Sequence, residues 1–269
     1  MATASPSDLV LGAATVCFGA ERGKYPEGNS LFVRGPEESL VIDPSLGLVP
    51  RRGALPRADR VLNSHCHEDH VAGNHLFPGV PWHLHEADLP GMLSLDGFLA
   101  IFGYGGPIMA HWRKAVVEQF HFTPRPDAVG FADGHVFDLG GGVRVRAIHT
   151  PGHTPDHMTF VLEDAALVGD CLLVGTVGRA DFYDDGPEEL YQSIFDRILR
   201  LSDEVAVYPA HYGPNHGLPE DRSTTIGRER RFNDALTQTT KEDFVRYMVE
   251  GWPPKPAGWR EISERNTSP

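Results

Sequence analysis

The chain has 269 residues, 41% hydrophobic and 23% charged, enough for one large core or two small ones. Its net charge of −13 argues against nonspecific binding to nucleic acid or to an anionic membrane surface. Three cysteines, Cys17, Cys66 and Cys171, are too few and too widely spaced for a disulfide framework, and no apolar run reaches the roughly 20 residues of a membrane span.

The first residues, Met-Ala-Thr-Ala-Ser-Pro-Ser-Asp, lack the positive region of a signal peptide. The expectation is a soluble, cytoplasmic protein. Residues 8–18, 29–35 and 39–43 are β-rich and separated by Gly and Pro, which predicts an opening β-meander. A Gly/Pro/Arg-rich connector, 44–56, leads to a strand at Arg60–Ser64. The stretch that follows is Ser64-His-Cys-His-Glu-Asp-His70. His65 and His67 are two apart, so an extended backbone points them the same way. Asp69 and His70 then fall at the start of a helix. Four side chains that bind first-row metals within six residues read as part of a metal site rather than a polar loop.

Residues 87–130 break the β-rich pattern with Met92, Phe98, Phe102, Tyr104, Trp112 and Phe120, among other apolar side chains. Trp112, Val116 and Phe120 repeat every four, as on one helix face. The segment reads either as core helix packing or as a substrate-covering lid or dimer surface. In the lid reading, Phe102, Tyr104 and Trp112 would touch substrate.

Residues 130–139, turning at Asp133-Gly134, and 142–149 predict a second β-meander. Val143, Val145 and Ala147 alternate with Arg144 and Arg146, which puts one face inside and one in solvent. Strands follow at 158–162 and 166–169, a helix at 187–202 with Leu190, Ile194, Ile198 and Leu201 in one stripe, and a strand at 205–208. Helical patterns at 224–237 and 241–250 form a C-terminal extension, about 222–269, with Gly251 placed to stop the last helix. Strands-helix, repeated twice, fits a two-sheet core with helices outside.

Further candidate ligands sit at strand ends. His149, His153 and His157 are spaced by four, but Pro151, Gly152 and Pro155 forbid a helix, so only one or two of them can reach one metal. Asp170 ends a strand of small residues, where a carboxylate is poorly explained by packing. His211 ends the strand 205–208 in the same way. Cys66 and Cys171 read as small buried thiols.

The heptad 64–70 resembles the His-X-His-X-Asp-His signature of the metallo-β-lactamase superfamily. The Pro151-Gly-His153 core resembles its second motif, which selects His153 and leaves His149 and His157 at the strand end or behind the ligands. Asp170 and His211 stand where the superfamily carries its bridging Asp and last His. The resemblance implies a single α/β domain, 1–269, built as an αββα sandwich of two mixed sheets. It implies two divalent metal ions, with zinc the first expectation and iron or manganese as alternatives. His65, His67 and His153 would hold one ion, Asp69, His70 and His211 the other, and Asp170 would bridge them. A hydroxide between the ions would attack a thioester, ester or lactone; Asp69 and Asp170 carry that chemistry.

Finer matches are similar to the glyoxalase II and persulfide dioxygenase branches. Gly178-Arg-Ala-Asp-Phe182 is similar to the Gly-Arg-Thr-Asp-Phe stretch of persulfide dioxygenases, although Val177 stands where those enzymes carry Cys. Cys66, Glu229-Arg230 and Asn233 also match. The second branch implies one Fe(II) on His65, His153 and Asp170. Either way the expected partner is a small molecule, with neither nucleic acid nor membrane; a homodimer is open. Arg179 and Tyr212 join Phe102, Tyr104 and Trp112 as candidate substrate contacts, with structural ion pairing as the other role for Arg179.

Overall fold

The computed structural model describes residues 8–20, 23–101, 106–212, 222–238 and 240–251. The first sheet holds β1 (Leu9–Leu11), β2 (Ala14–Cys17), β3 (Ser30–Arg34), β4 (Ser39–Ile42), β5 (Arg60–Leu62), β6 (Trp82–His85) and β7 (Val129–Phe131), side by side in chain order. β1 to β4 are antiparallel, as the alternating segments predict, and β4 to β7 are parallel. The apolar run 9–18 is not one strand. Gly12, at φ 52°, turns it into the β1–β2 hairpin.

The second sheet contains β8 (Val136–Asp138), β9 (Arg144–His149), β10 (Met158–Val161), β11 (Ala165–Leu167), β14 (Ala206–Tyr208) and β15 (Thr224–Thr225), in the spatial order β15-β14-β11-β10-β9-β8. A small hairpin, β12 (Leu172–Leu173) with β13 (Thr176–Val177), stands apart. Expected and observed structure part at Asp133-Gly134. That turn closes no hairpin; it carries the chain from β7 in the first sheet to β8 in the second. The reason lies in the aromatic side chains on either side. Phe131 and Phe137 both point into the space between the sheets, their rings edge-to-face at 5.4 Å.

Three apolar layers result. Between the sheets lie Val16, Leu31, Val33, Leu40 and Ile42 against Val145, Ala147, Met158, Phe160 and Leu167. On the outer face of the first sheet, α1 (Glu68–Val71), α2 (Leu89–Met92), α3 (Leu95–Ile101) and α4 (Gly106–Glu118) bury Val71, Met92, Phe98, Leu99 and Val116 on Val41, Val61, Trp82 and Leu84. The described part of 87–130 is thus the outer helical layer and the crossover that a parallel β6–β7 pair requires. On the second sheet, α5 (Gly186–Gln192), α6 (Ile226–Phe232) and α7 (Lys241–Gly251) cover Ile148, Ala166, Val168 and Val207. Leu190, Ile194 and Ile198 are fully buried there; α5 continues through a wider turn at 193–197 and a tight one at Ile198–Arg200. The architecture is an αββα sandwich of two mixed sheets. Among the described residues, no helix is long and apolar enough to cross a membrane.

Candidate metal centre

Strand direction decides where the candidate ligands go. In the first sheet β2, β4 and β5 run the same way, and in the second sheet β9, β11 and β14 do so. The loops leaving these six strands therefore emerge together, and ligand sites in such sheets gather at strand ends. His65 and His67 follow β5, His67 with extended backbone, and a single helical turn then holds Asp69 and His70. His153 follows β9, Asp170 follows β11 and His211 follows β14.

These seven side chains converge. His65, His67 and His153 present ligand atoms within 4.8 Å of one another, and so do Asp69, His70 and His211. His65, His70 and Asp170 form a third such group that joins the two. The His67 Nδ1 and His153 Nε2 atoms are 2.9 Å apart. Asp170 Oδ2 lies 3.4 Å from His153 Nε2 and 3.6 Å from the Nε2 of both His70 and His211. His211 Nε2 is 3.0 Å from Asp69 Oδ2. His65 Nε2, His70 Nε2 and Asp170 Oδ1 are buried and make no hydrogen bond. Orphaned buried polar atoms are costly, and all three belong to the cluster. Imidazole nitrogens and carboxylate oxygens that lack only an electrophile fit divalent cations.

The outward nitrogens are pinned. His153 Nδ1 donates to the Arg179 carbonyl at 2.7 Å and His211 Nδ1 to the Gly23 carbonyl at 3.0 Å. His70 Nδ1 meets Asp43 Oδ2 at 3.1 Å. Each bond fixes a tautomer whose Nε2 faces the cluster. Behind this layer His157 accepts the Asp170 backbone N–H at 3.2 Å and meets Thr150 Oγ1 at 3.0 Å, so it positions the Asp170 backbone. His149 lies further out, stacked on His85 at 4.8 Å.

Burial and neighbouring histidines hold His65 well below its ordinary pKa; burial and His153 push His67 down to about 3. Burial opposes a charge on His70 and His211 as well, yet Asp69 and Asp170 beside them, with Asp43 beside His70, keep both above the usual value. Asp170 is held well below the carboxylate range, against burial, by His211 and His153. Divalent cations bound there would favour neutral imidazoles and ionised carboxylates.

Other expected contacts fall elsewhere. The Arg179 guanidinium forks onto Asp181, with Nη2 2.8 Å from Oδ2, which makes it a structural ion pair beside the site. Tyr212 is a core residue: it is buried, its ring packs on Phe18 at 5.9 Å, and its hydroxyl donates to Gly19 O at 3.2 Å. Trp112 packs on the outer-face core. Phe102 and Tyr104 lie outside the described residues. Cys66 and Cys171 are buried, and burial raises both thiols, so neither is a ready nucleophile. A groove of about 490 Å³ beside Arg34, Glu38 and Arg57 touches none of the seven ligand candidates.

Four side chains at the site were not singled out by sequence. Asp43 accepts from Ser64 N and Ser64 Oγ, both at 2.6 Å, besides His70. Its signal was present: an Asp closing the apolar strand Leu40–Ile42, as Asp170 closes another. Glu68 is buried, and burial with Asp69 next to it pushes its carboxyl up to about 7. Tyr25 donates to Glu68 Oε1 at 2.5 Å. Phe182, quoted only as part of a motif, lies 5.0 Å from His67 and 5.1 Å from His153.

Comparison with known proteins agrees with this geometry. The chain is 32% identical over 231 residues to the persulfide dioxygenase ETHE1 of Bos taurus, covering 83% of this chain and 76% of that one. It is 30% identical over 201 residues to glyoxylase B2 of Dictyostelium discoideum, covering 71% of this chain and 62% of the relative. The crystal structure of ETHE1 from Myxococcus xanthus superposes with a TM-score of 0.61 at 22% identity, over 89% of this chain and 93% of that chain, a likeness of fold. The sequence profile of the metallo-β-lactamase superfamily matches residues 26–211, from the loop after β2 to the last histidine of the cluster. By fold, by strand-end chemistry and by sequence, the chain belongs to the metallo-β-lactamase superfamily.

Proposed function

We propose that the protein is a metal-dependent hydrolase that cleaves a thioester, ester or lactone. The observation that supports this reading is the division of the donors into two triads, His65/His67/His153 and Asp69/His70/His211, with Asp170 near both. Each triad would hold one divalent cation and Asp170 would lie between them, zinc being the first expectation for imidazole and carboxylate donors, with iron and manganese compatible. Such a pair supplies a water of lowered pKa and a Lewis acid for a carbonyl oxygen.

The chain's own residues contribute orientation. The Arg179 and Gly23 carbonyls and the Asp43 carboxylate keep three imidazoles turned inward. The His157 ring holds the Asp170 backbone, while Cys66, between His65 and His67 in sequence, is buried in the outer-face core.

A second reading, a persulfide dioxygenase with one Fe(II) on His65, His153 and Asp170, is favoured by a different observation. The Bos taurus relative at 32% identity carries that name, and the 178–182 segment accepts a hydrogen bond from His153 Nδ1 through Arg179 O. Metal content per chain, measured by elemental mass spectrometry on protein purified without added metal or chelator, separates the two. About two zinc-class ions with turnover of a thioester and lactone panel supports hydrolysis. About one iron, with oxygen uptake on glutathione persulfide and no hydrolysis, overturns it.

A further inference from the structure

Outside the ligand cluster, His85 and His149 stack at 4.8 Å, and His75 and His121 meet at 4.7 Å. The two pairs sit in opposite surroundings. Burial and His149 lower the His85 pKa, while Asp156, Glu86 and Asp133 oppose the shift. Burial also lowers His75, and its bond to the Ala72 carbonyl opposes this. The charged groups that act on His75 are His121 and Arg52, and both push it further down. No carboxylate balances them, in a chain whose net charge is −13. Other charges on the same elements are engaged: Arg51 pairs with Asp8, Arg113 with Asp96 and Glu118 with Lys114.

The donors of this basic trio are open. His75 Nδ1 donates to Ala72 O at 2.8 Å, which leaves Nε2 over. Among the described residues, the His121 ring and the Arg52 guanidinium make no hydrogen bond or ion pair. Arg52 is exposed, and both imidazoles are half-buried. His121 is also held in an unusual backbone, with φ at 55°, where Gly is the ordinary residue. Phe120 and Phe122 on either side of it are buried, and Phe122 N returns to Val116 O at 3.0 Å, so the chain turns His121 out between them. Strained residues of this kind gather at functional sites.

We propose that Arg52, His75 and His121 form a binding site for a tetrahedral dianion, the chemistry of a phosphate or sulfate group. The guanidinium offers such an anion a planar fork of N–H donors. Each imidazole adds a further donor when it takes a proton. The anion supplies the negative charge that the trio lacks, whereas a divalent cation on the two imidazoles would stand beside Arg52. The site lies apart from the seven ligand candidates and does not depend on which reaction they support.

The test uses the zinc-loaded protein and sulfate, which keeps both charges across the neutral pH range. Histidine side-chain NMR follows the titration of single rings with and without sulfate. His75→Gln and His121→Asn give the assignments, Asn being tolerant of the left-handed backbone. Saturating sulfate is expected to raise the midpoints of His75 and His121 by about one pH unit and to leave His85 and His149 unmoved. Calorimetry is expected to show sulfate binding about tenfold tighter near pH 6 than near pH 8, displaced by inorganic phosphate and weakened at least about fivefold in Arg52→Gln. Unmoved midpoints for His75 and His121 overturn the proposal. So does an unchanged affinity in Arg52→Gln, which is what an anion held by the bound metal ions would give. An additional zinc ion bound by wild type and lost in His75→Gln overturns it as well, since the pair would then serve a cation.

Discussion

Asp43 and His70 are 27 residues apart and meet at 3.1 Å, carboxylate to Nδ1, in a place neither would occupy for packing alone. Asp43 reaches it with φ at 45°, a left-handed conformation that is uncommon for a residue other than Gly. The same carboxylate holds Ser64 through backbone and hydroxyl, so it orients both ends of the 64–70 segment. Replacing Asp43 with Ala strands three buried donors. Metal retention is expected to fall about 10- to 100-fold, measured by chelator competition. Wild-type retention in Asp43→Ala would remove the orienting role assigned here.

At Gly152 the His153 turn lies directly against α5. A Cβ there would stand 2.4 Å from the backbone N and Cα of Leu190, and the residue has φ +137°. Backbone cannot give way as a side-chain end can. Gly152→Ala is expected to cost about 2–4 kcal/mol and to weaken metal binding through His153. Gly53, with no heavy atom within 4 Å of its would-be Cβ, is the control. Thermal unfolding that drops equally for both substitutions would count against the steric argument.

His83 on β6 supplies a pH effect independent of the metal site. Burial, then Arg60 and His135, lower it from 6.5 to about 4, and its Nε2 is buried without a partner. The folded pKa lies below the unfolded one. The stabilisation is therefore fully present above about pH 6.5 and is lost as pH falls toward 4, by at most about 3 kcal/mol. His83→Leu should thus gain on wild type as the pH is lowered from 7 to 4.5. A difference in melting temperature that stays constant across that range would refute the assignment.

Glu229 and Asn233, which in sequence looked like family markers, are joints. Glu229 Oε2 accepts from Gly175 N at 2.9 Å and from Asn233 Nδ2 at 2.7 Å, and Asn233 also donates to Thr176 O at 2.7 Å. They bind α6 to the β12–β13 hairpin. Glu229→Ala should destabilise by about 1–3 kcal/mol and leave metal content unchanged. Loss of metal at unaltered stability would place Glu229 at the site instead.

The seven converging residues were legible because each is a polar ligand type in the segment that follows an apolar strand, a pattern that packing does not explain. The two-sheet core with helices outside followed from the order of strands and helices, and the αββα layering from the family resemblance. What escaped the sequence was long-range. β6, Trp82–His85, was not predicted as a strand: two of its four residues are histidines, yet it lies largely buried between parallel neighbours. The Asp133-Gly134 turn has the local chemistry of a hairpin, and only the inward direction of Phe131 and Phe137 tells that it changes sheets. Arg179 and Tyr212 follow motif residues closely, but proximity in sequence did not decide their direction: one turns to Asp181, the other to Gly19. Tyr25 and Glu68 meet across 43 residues and neither is a ligand type in a motif position.

His65, His67, Asp69 and His70 belong to one sheet, while His153, Asp170 and His211 belong to the other. Ions coordinated by both groups would fasten the open rim of the sandwich, much as a clasp closes two covers joined along their spine by the apolar interior. The stability of the whole chain then becomes a function of free metal concentration, rising by RT ln(1 + [M]/Kd). A cell short of metal would hold this protein not only idle but easier to unfold, and thus shorter-lived.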